Sequence, residues 1–327
     1  MQPQILSPLA PGWQAQLTLA FQRRGLRTSL GHCAHRGPLQ VQRPFYPEGE
    51  AVGHVAILHP PGGVVGGDEL QINIILDAQA HALITTPAAG KFYRSAGPTA
   101  RQIQQMTVSA DAALEWLPQE NIVYAGARVH AITRIELQGD ARFIGWEILC
   151  LGRPAANESF HSGQYRQDLE LWRDGEPLYL EHGCYAGDDP VMTAQWGLQG
   201  QPVSATLLCA GVWPDLLNPL RTALNPATLE GEQVAVTQLD GVLICRYLGP
   251  SAARARRLLI LAWSVVATDR FESPGLSFPL LEYLTRTHSS PRPNTKTFRT
   301  FAKPVNSSFP RRREWRKAKT LLSIMQT

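Results

Sequence analysis

His59-Pro60-Pro61-Gly62-Gly63-Val64-Val65-Gly66-Gly67-Asp68 runs through Glu69 into Leu70-Gln71-Ile72-Asn73-Ile74-Ile75-Leu76, and this junction decides the fold class. Residues 70, 72, 74 and 76 are apolar at a period of two, which predicts a half-buried β-strand. The glycines at 62, 63, 66 and 67 mark backbone that needs positive φ or close approach by another segment. Pro60 and Pro61 stiffen the approach. Asp68 sets one carboxylate beside several backbone amides. A second turn-rich segment follows, Thr85-Thr86-Pro87-Ala88-Ala89-Gly90-Lys91-Phe92-Tyr93-Arg94-Ser95.

A glycine-rich loop invites a phosphate site, but the surroundings are wrong. P-loops and dinucleotide folds place their glycines ahead of a helix, and a P-loop ends in Lys-Ser/Thr. Here the glycines lead into a strand and an acid follows them. No helix N-terminus is offered to an anion. Local physics favours a tight turn between two strands. The rival is a nucleotide-dependent small-molecule enzyme using residues 62–67.

Outward from the loop, the same alternation recurs. Trp13, Ala15, Leu17, Leu19 and Phe21 share one face of a strand. Further strands are expected over 52–58, 80–86, 101–108, 113–117, 129–137, 141–150, 164–172, 177–181, 203–209, 233–239 and 242–248. Gly, Pro, Asp or Asn separates them, which argues a mainly β architecture rather than βα units. No repeat of fixed period is visible, so periodicity alone does not give a solenoid. Two helices are expected. Pro214 fits the first position of one, with Pro219 kinking or ending it. Ser251 fits the cap of the other, over 252–267, where Leu258, Leu259, Leu261, Ala262, Val265 and Val266 have helical spacing.

The chain divides at Arg270. Residues 271–327 hold 11 Lys/Arg against 3 Asp/Glu, whereas 1–270 hold 20 against 24. The Ser/Pro-rich basic segment has little apolar surface to offset its ordering entropy, so it reads as a disordered tail. A nucleic-acid-binding role would rest on that tail alone. The whole chain is 44% hydrophobic and can bury a core. No run reaches the roughly 18 apolar residues of a membrane span. No signal peptide is evident at Met1-Gln2-Pro3-Gln4. Five dispersed cysteines without a C-x-x-C read as reduced thiols of a cytoplasmic protein.

Conventional catalysis finds little footing. No Gly-x-Ser-x-Gly elbow is present. His32-Cys33 with His35, and Glu181-His182-Gly183-Cys184, are the nearest approaches to metal-ligand spacing. The first cluster reads as a turn between two strands.

Several long motifs stand in a characteristic order between about Gly12-Trp13 and Trp263. They are Gly37-Pro38-Leu39, Gln42-Arg43-Pro44-Phe45-Tyr46-Pro47-Glu48, the two segments quoted above, Leu114-Glu115-Trp116-Leu117-Pro118-Gln119-Glu120 and Cys150-Leu151-Gly152-Arg153-Pro154-Ala155. In these the chain resembles the urease accessory protein family UreD, also called UreH. The resemblance implies a β-helix-like stack of many short strands with about two helices, and no enzymatic activity. It also implies a scaffold that joins apo-urease to a UreF-like protein and, through it, to a UreG-like GTPase. Nickel would cross an internal tunnel to the urease active site, with no tightly bound cofactor. GTP hydrolysis would belong to the partner, in keeping with the missing P-loop. Neither membrane nor nucleic acid is implied. Beyond Arg270 the chain departs from the family pattern.

A cation in transit needs weak, exchangeable oxygen ligands rather than a closed His/Cys cage. The candidates are Asp68, Glu69, Glu120, Glu147, Glu176 and Glu181. Glu147 stands out because residues 141–150 are otherwise mostly apolar, and a buried carboxylate is costly unless paired or facing a wet cavity. The plain alternative is an ion pair with an arginine. The resemblance implies an acid at this point, usually Asp in that family. Lys91, Phe92, Tyr93, Arg94 and Trp116 are the candidate partner-binding residues, with a solvated basic loop as the alternative for 91–94.

Overall fold

The structure, a computed structural model, describes residues 12–211 and 216–270. It opens with an antiparallel hairpin, β1 (Gln14–Arg24) and β2 (Arg27–Arg36), then a short β3 (Gln40–Val41). The chain next winds between two facing sheets. In order come β4 (Val52–Leu58), β5 (Glu69–Leu76), β6 (His81–Thr85), β7 (Gly90–Phe92) and β8 (Ala100–Val108). Then come β9 (Ala113–Leu117), β10 (Asn121–Val123), β11 (Arg128–Leu137), β12 (Arg142–Leu151) and β13 (Gln164–Arg173).

Successive turns stack in parallel. In one sheet β5 lies on β1, β8 on β5, β11 on β8 and β13 on β11. In the other, β6 lies on β4, β9 on β6 and β12 on β9. The result is a β-solenoid of about 4 turns. Antiparallel β14 (Glu176–Ala186) ends the 7-stranded sheet. The antiparallel strands β15 (Val203–Ala210), β16 (Gln233–Leu239) and β17 (Val242–Gly249) extend the 10-stranded one.

Alternation explains the core. Leu17, Leu19, Ile72, Ile74, Met106 and Ile135 meet between the sheets, all fully or almost fully buried. A fully buried residue of this size stabilises by about 1.5–3 kcal/mol. The 10-stranded sheet is covered on both faces. On β12, Phe143 and Leu149 join the inter-sheet core, while Ile144, Trp146, Ile148 and Cys150 face the helices. Double burial is why residues 141–150 read as a nearly continuous apolar run.

The helices are α1 (Leu217–Leu224) and α2 (Ala252–Arg270). The Arg254 N–H donates to Ser251 Oγ at 3.4 Å, as expected of a capping serine. Ala255, Leu258, Leu259, Ala262, Trp263 and Val266 form the buried stripe of α2. Two acids of the 114–120 motif hold this helix. Glu115 accepts from Trp263 Nε1–H at 2.6 Å and contacts His81 Nε2 at 2.7 Å. Glu120 pairs with Arg256 at 3.0 Å.

The structure differs from the sequence reading at three places. Residues 32–35 lie inside strand β2, not in a turn. The strands β3, β7 and β10 are two or three residues long, too short for any periodicity to show. Pro219 neither kinks nor ends α1, because it sits in the first turn, where its missing N–H has no intrahelical partner. Pro214 and the 271–327 tail lie outside the described residues.

Glu115→Ala removes an acceptor buried between β9 and α2. It is expected to lower unfolding stability by about 3 kcal/mol, read from denaturant melts. A variant as stable as the parent would show that α2 docks by apolar contact alone.

Candidate functional site

The glycine-rich loop is a structural seam. Asp68 Oδ1 accepts from the Trp13 N–H at 2.8 Å, and Oδ2 from the Val65 N–H at 3.0 Å. The Glu69 N–H returns to the Trp13 carbonyl at 2.9 Å, starting the β1–β5 ladder. Gly62 and Gly67 take positive φ, +80° and +93°. Gly63 and Gly66 serve close approach: a Cβ would meet the Tyr93 ring at 2.1 Å and Ser95 Oγ at 2.2 Å, respectively. Pro60 and Pro61 are exposed on the approach. Burial pushes the His59 imidazole below its usual range, partly opposed by Asp68.

Beside the loop, Tyr93 meets Tyr124 edge-on at 4.9 Å, and the Arg153 guanidinium lies 4.7 Å over Tyr124. Arg153 is held in turn by Glu158. Lys91 and Tyr93 are half-buried and Arg94 is exposed. Phe92 and Trp116 are core residues, 1% and 2% exposed. They are unavailable to a partner, which corrects the expectation for these two. An aromatic residue on a short strand carries no local sign of which face it takes.

Glu147 faces inward from β12, between the sheets. Thr133 Oγ1 on β11 donates to its Oε1, and Gln167 Nε2 on β13 donates to its Oε2. Thr133 also lies 3.2 Å from Gln104 Oε1 on β8. The donors to the carboxylate are neutral, so hydroxyl and amide stand where the alternative reading had an arginine pair. Next to it is a cavity of about 10 Å³, roughly the space one water needs. Asn121, Tyr165, Gln167, Glu181, Tyr185 and Thr206 line it with Glu147. Burial drives the Glu147 carboxyl above the usual carboxylate range, with Glu181 adding to the shift and the two hydrogen bonds opposing it. Burial likewise raises the phenols of Tyr165 and Tyr185.

Glu181, on β14, is the second acid at the cavity. Its carboxylate accepts from Tyr179 Oη–H at 2.5 Å and lies 3.3 Å from Arg246 of β17. The other acids stand elsewhere. Asp68 is spent on two backbone N–H groups. Glu69 faces Arg101 at 3.7 Å, Glu120 pairs with Arg256, and Glu176 is exposed at the start of β14. His182 points away from Glu181 and contacts Asp168 at 2.8 Å, which also meets His130 at 2.5 Å. Among the described residues no three His, Cys, Asp or Glu side chains converge as a metal site. The alternation of β11 and β13 already put Thr133 and Gln167 on inward faces. Arg246, from a strand far along the chain, left no local signal.

The molecule is thus a β-solenoid scaffold with two acids at one internal polar cavity. All five cysteines are free. Among the described residues no helix is long and apolar enough to cross a membrane. The family described as UreD urease accessory protein matches residues 14–277. A urease accessory protein UreD of Dechloromonas aromatica is 46% identical over 79% of this chain and 90% of its own length. One from Azoarcus is 44% identical over 78% and 89%, and one from Nostoc 42% over 83% and 96%. The chain belongs to the UreD family of urease accessory proteins. It is an assembly factor rather than an enzyme.

Asp68→Ala is expected to lower stability by about 2–4 kcal/mol, since it removes two charge-assisted hydrogen bonds to backbone N–H groups. Calorimetry measures it, and an unchanged melting temperature would contradict the seam. Glu147 makes a prediction of opposite sign. Its folded pKa lies above the unfolded one, so the unfolded chain ionises first as pH rises and stability falls until the folded pKa is passed. Glu147→Gln escapes that loss. The variant should melt above the parent at about pH 8, with the gap closing toward about pH 4. A gap independent of pH would mean that this carboxyl does not titrate across the window.

Proposed function

We propose that the chain is a scaffold and nickel-transfer protein of urease maturation in the cytoplasm. It joins apo-urease to a UreF-like protein and, through that partner, to a UreG-like GTPase. Nickel, the cargo, crosses the space between the two sheets at Glu147. The supporting observation is the Glu147 carboxylate, half-buried at a water-sized cavity and held by neutral donors with Glu181 on the same wall. A carboxylate locked to an arginine would have to break an ion pair before it could meet a cation. One held by Thr133 and Gln167 gives up only neutral hydrogen bonds. Two carboxylates with hydroxyl and amide oxygens form a hard-donor set that a divalent cation in transit can enter. The surface around Lys91, Tyr93, Arg94, Tyr124 and Arg153 carries the arginine and tyrosine side chains favoured as interface anchors, and we assign the partner contact there.

Glu147→Ala tests the route. Urease purified from cells carrying the variant should hold several-fold less nickel, while a pull-down still recovers the accessory complex. Full nickel loading would remove Glu147 from the route. Loss of the complex would make the residue structural.

A further inference from the structure

Arg246 occupies a place that the transfer route does not by itself explain. Strand register puts Glu147 beside Thr206 and Thr206 beside Arg246, so the three form one lateral row on the inner face of the 10-stranded sheet. With strands about 4.8 Å apart, Arg246 starts about 10 Å from Glu147. The opposite sheet ends at β14, and Arg246 reaches across to that edge. Its guanidinium donates to Tyr179 Oη at 2.6 Å and lies 3.3 Å from Glu181. The Arg246 side chain is 51% exposed and Glu181 20%, so the cation stands on the solvent side of the cavity wall. Asn121, Glu147, Tyr165, Glu181 and Tyr185 line the cavity, and Arg246 and Tyr179 meet it through their contacts with Glu181.

We propose that Arg246 is a displaceable counter-ion that closes this mouth of the cavity, so that a divalent cation passes only by taking Glu181 from the guanidinium. The proposal rests on the nickel route through Glu147. Two acids at one small cavity would trap a divalent cation, because each unit of uncompensated charge strengthens the attraction where solvent screens poorly. A fixed guanidinium on Glu181 cancels that acid's charge while the mouth is shut, leaving Glu147 alone to face the cavity. Its half-exposed side chain can swing into water when a cation replaces it, and swing back to help the ion leave. A neutral donor at this position would keep the hydrogen bonds and lose both effects.

The experiment is equilibrium dialysis of Ni²⁺ against the full-length chain, carried on a solubility fusion, beside the nickel content of urease from cells. Arg246→Gln should bind Ni²⁺ roughly tenfold tighter or more than the parent, yet deliver less of it to urease. Arg246→Lys keeps the charge and should bind within about threefold of the parent. The double variant of Glu147→Gln with Arg246→Gln should lose the added affinity. If Arg246→Gln binds no tighter while Glu147→Gln still lowers urease nickel, the counter-ion role is overturned and the route stands. If Glu147→Gln changes neither binding nor urease nickel, the route falls and the counter-ion role with it.

Discussion

Everything in this molecule depends on each turn of chain covering the apolar inner face of the turn before it. Parallel strands cannot form a local hairpin; they need a crossover, here supplied by the opposite sheet of the same solenoid. Leu17, Ile72, Met106 and Ile135 come from four different strands of one sheet and meet in one core. None of them has a sufficient partner within its own segment. The turns therefore carry strict geometric duties, and glycines with positive φ or close neighbours occur where β5 must start in register with β1. Asp68 fixes that start by holding Trp13 and Val65 with one carboxylate.

Strand positions were legible because the period of two survives whatever the turns do. The solenoid was not, since the step between stacked residues is uneven. Glu69 lies beside Arg101, Ala100 beside Val129, and Arg128 beside Gln164. What repeats is the path of the backbone, while loop lengths vary and erase any fixed sequence period. Only the family resemblance supplied the stacked architecture. Residues 32–35 were misjudged for a related reason. As part of an edge strand with little burial, β2 shows no apolar face to betray it.

The site was half legible. Glu147 announced itself as an acid in an apolar strand. Alternation put Thr133 and Gln167 on inward faces, but their meeting with Glu147, like that of Glu181 at the cavity, comes through the register of separate turns. Asp68 shows the converse. Its chemistry suited a cation as well as a loop cap, and only the position of the Trp13 N–H distinguishes the two. Phe92 and Trp116 looked like anchors by type, but their strands turn those faces to the core.

Glu115 and Glu147 show why a buried carboxylate alone decides nothing. They sit on the adjacent strands β9 and β12, with Glu115 beside Ile144 on the helix-facing side and Glu147 on the inner side. Glu115 meets an indole N–H and an imidazole, both fixed in packed surroundings, and its carboxylate is committed to holding α2. Glu147 meets a hydroxyl that can turn and an amide beside open space. Burial penalises the charge at both positions. At Glu115 the penalty is offset by permanent partners, so the residue is structural. At Glu147 it is offset only partly, which leaves the carboxyl reluctant to ionise unless a cation arrives. The same burial that destabilises the empty anion thus gives an arriving cation its advantage, and the step of one residue along a β-strand separates the two fates.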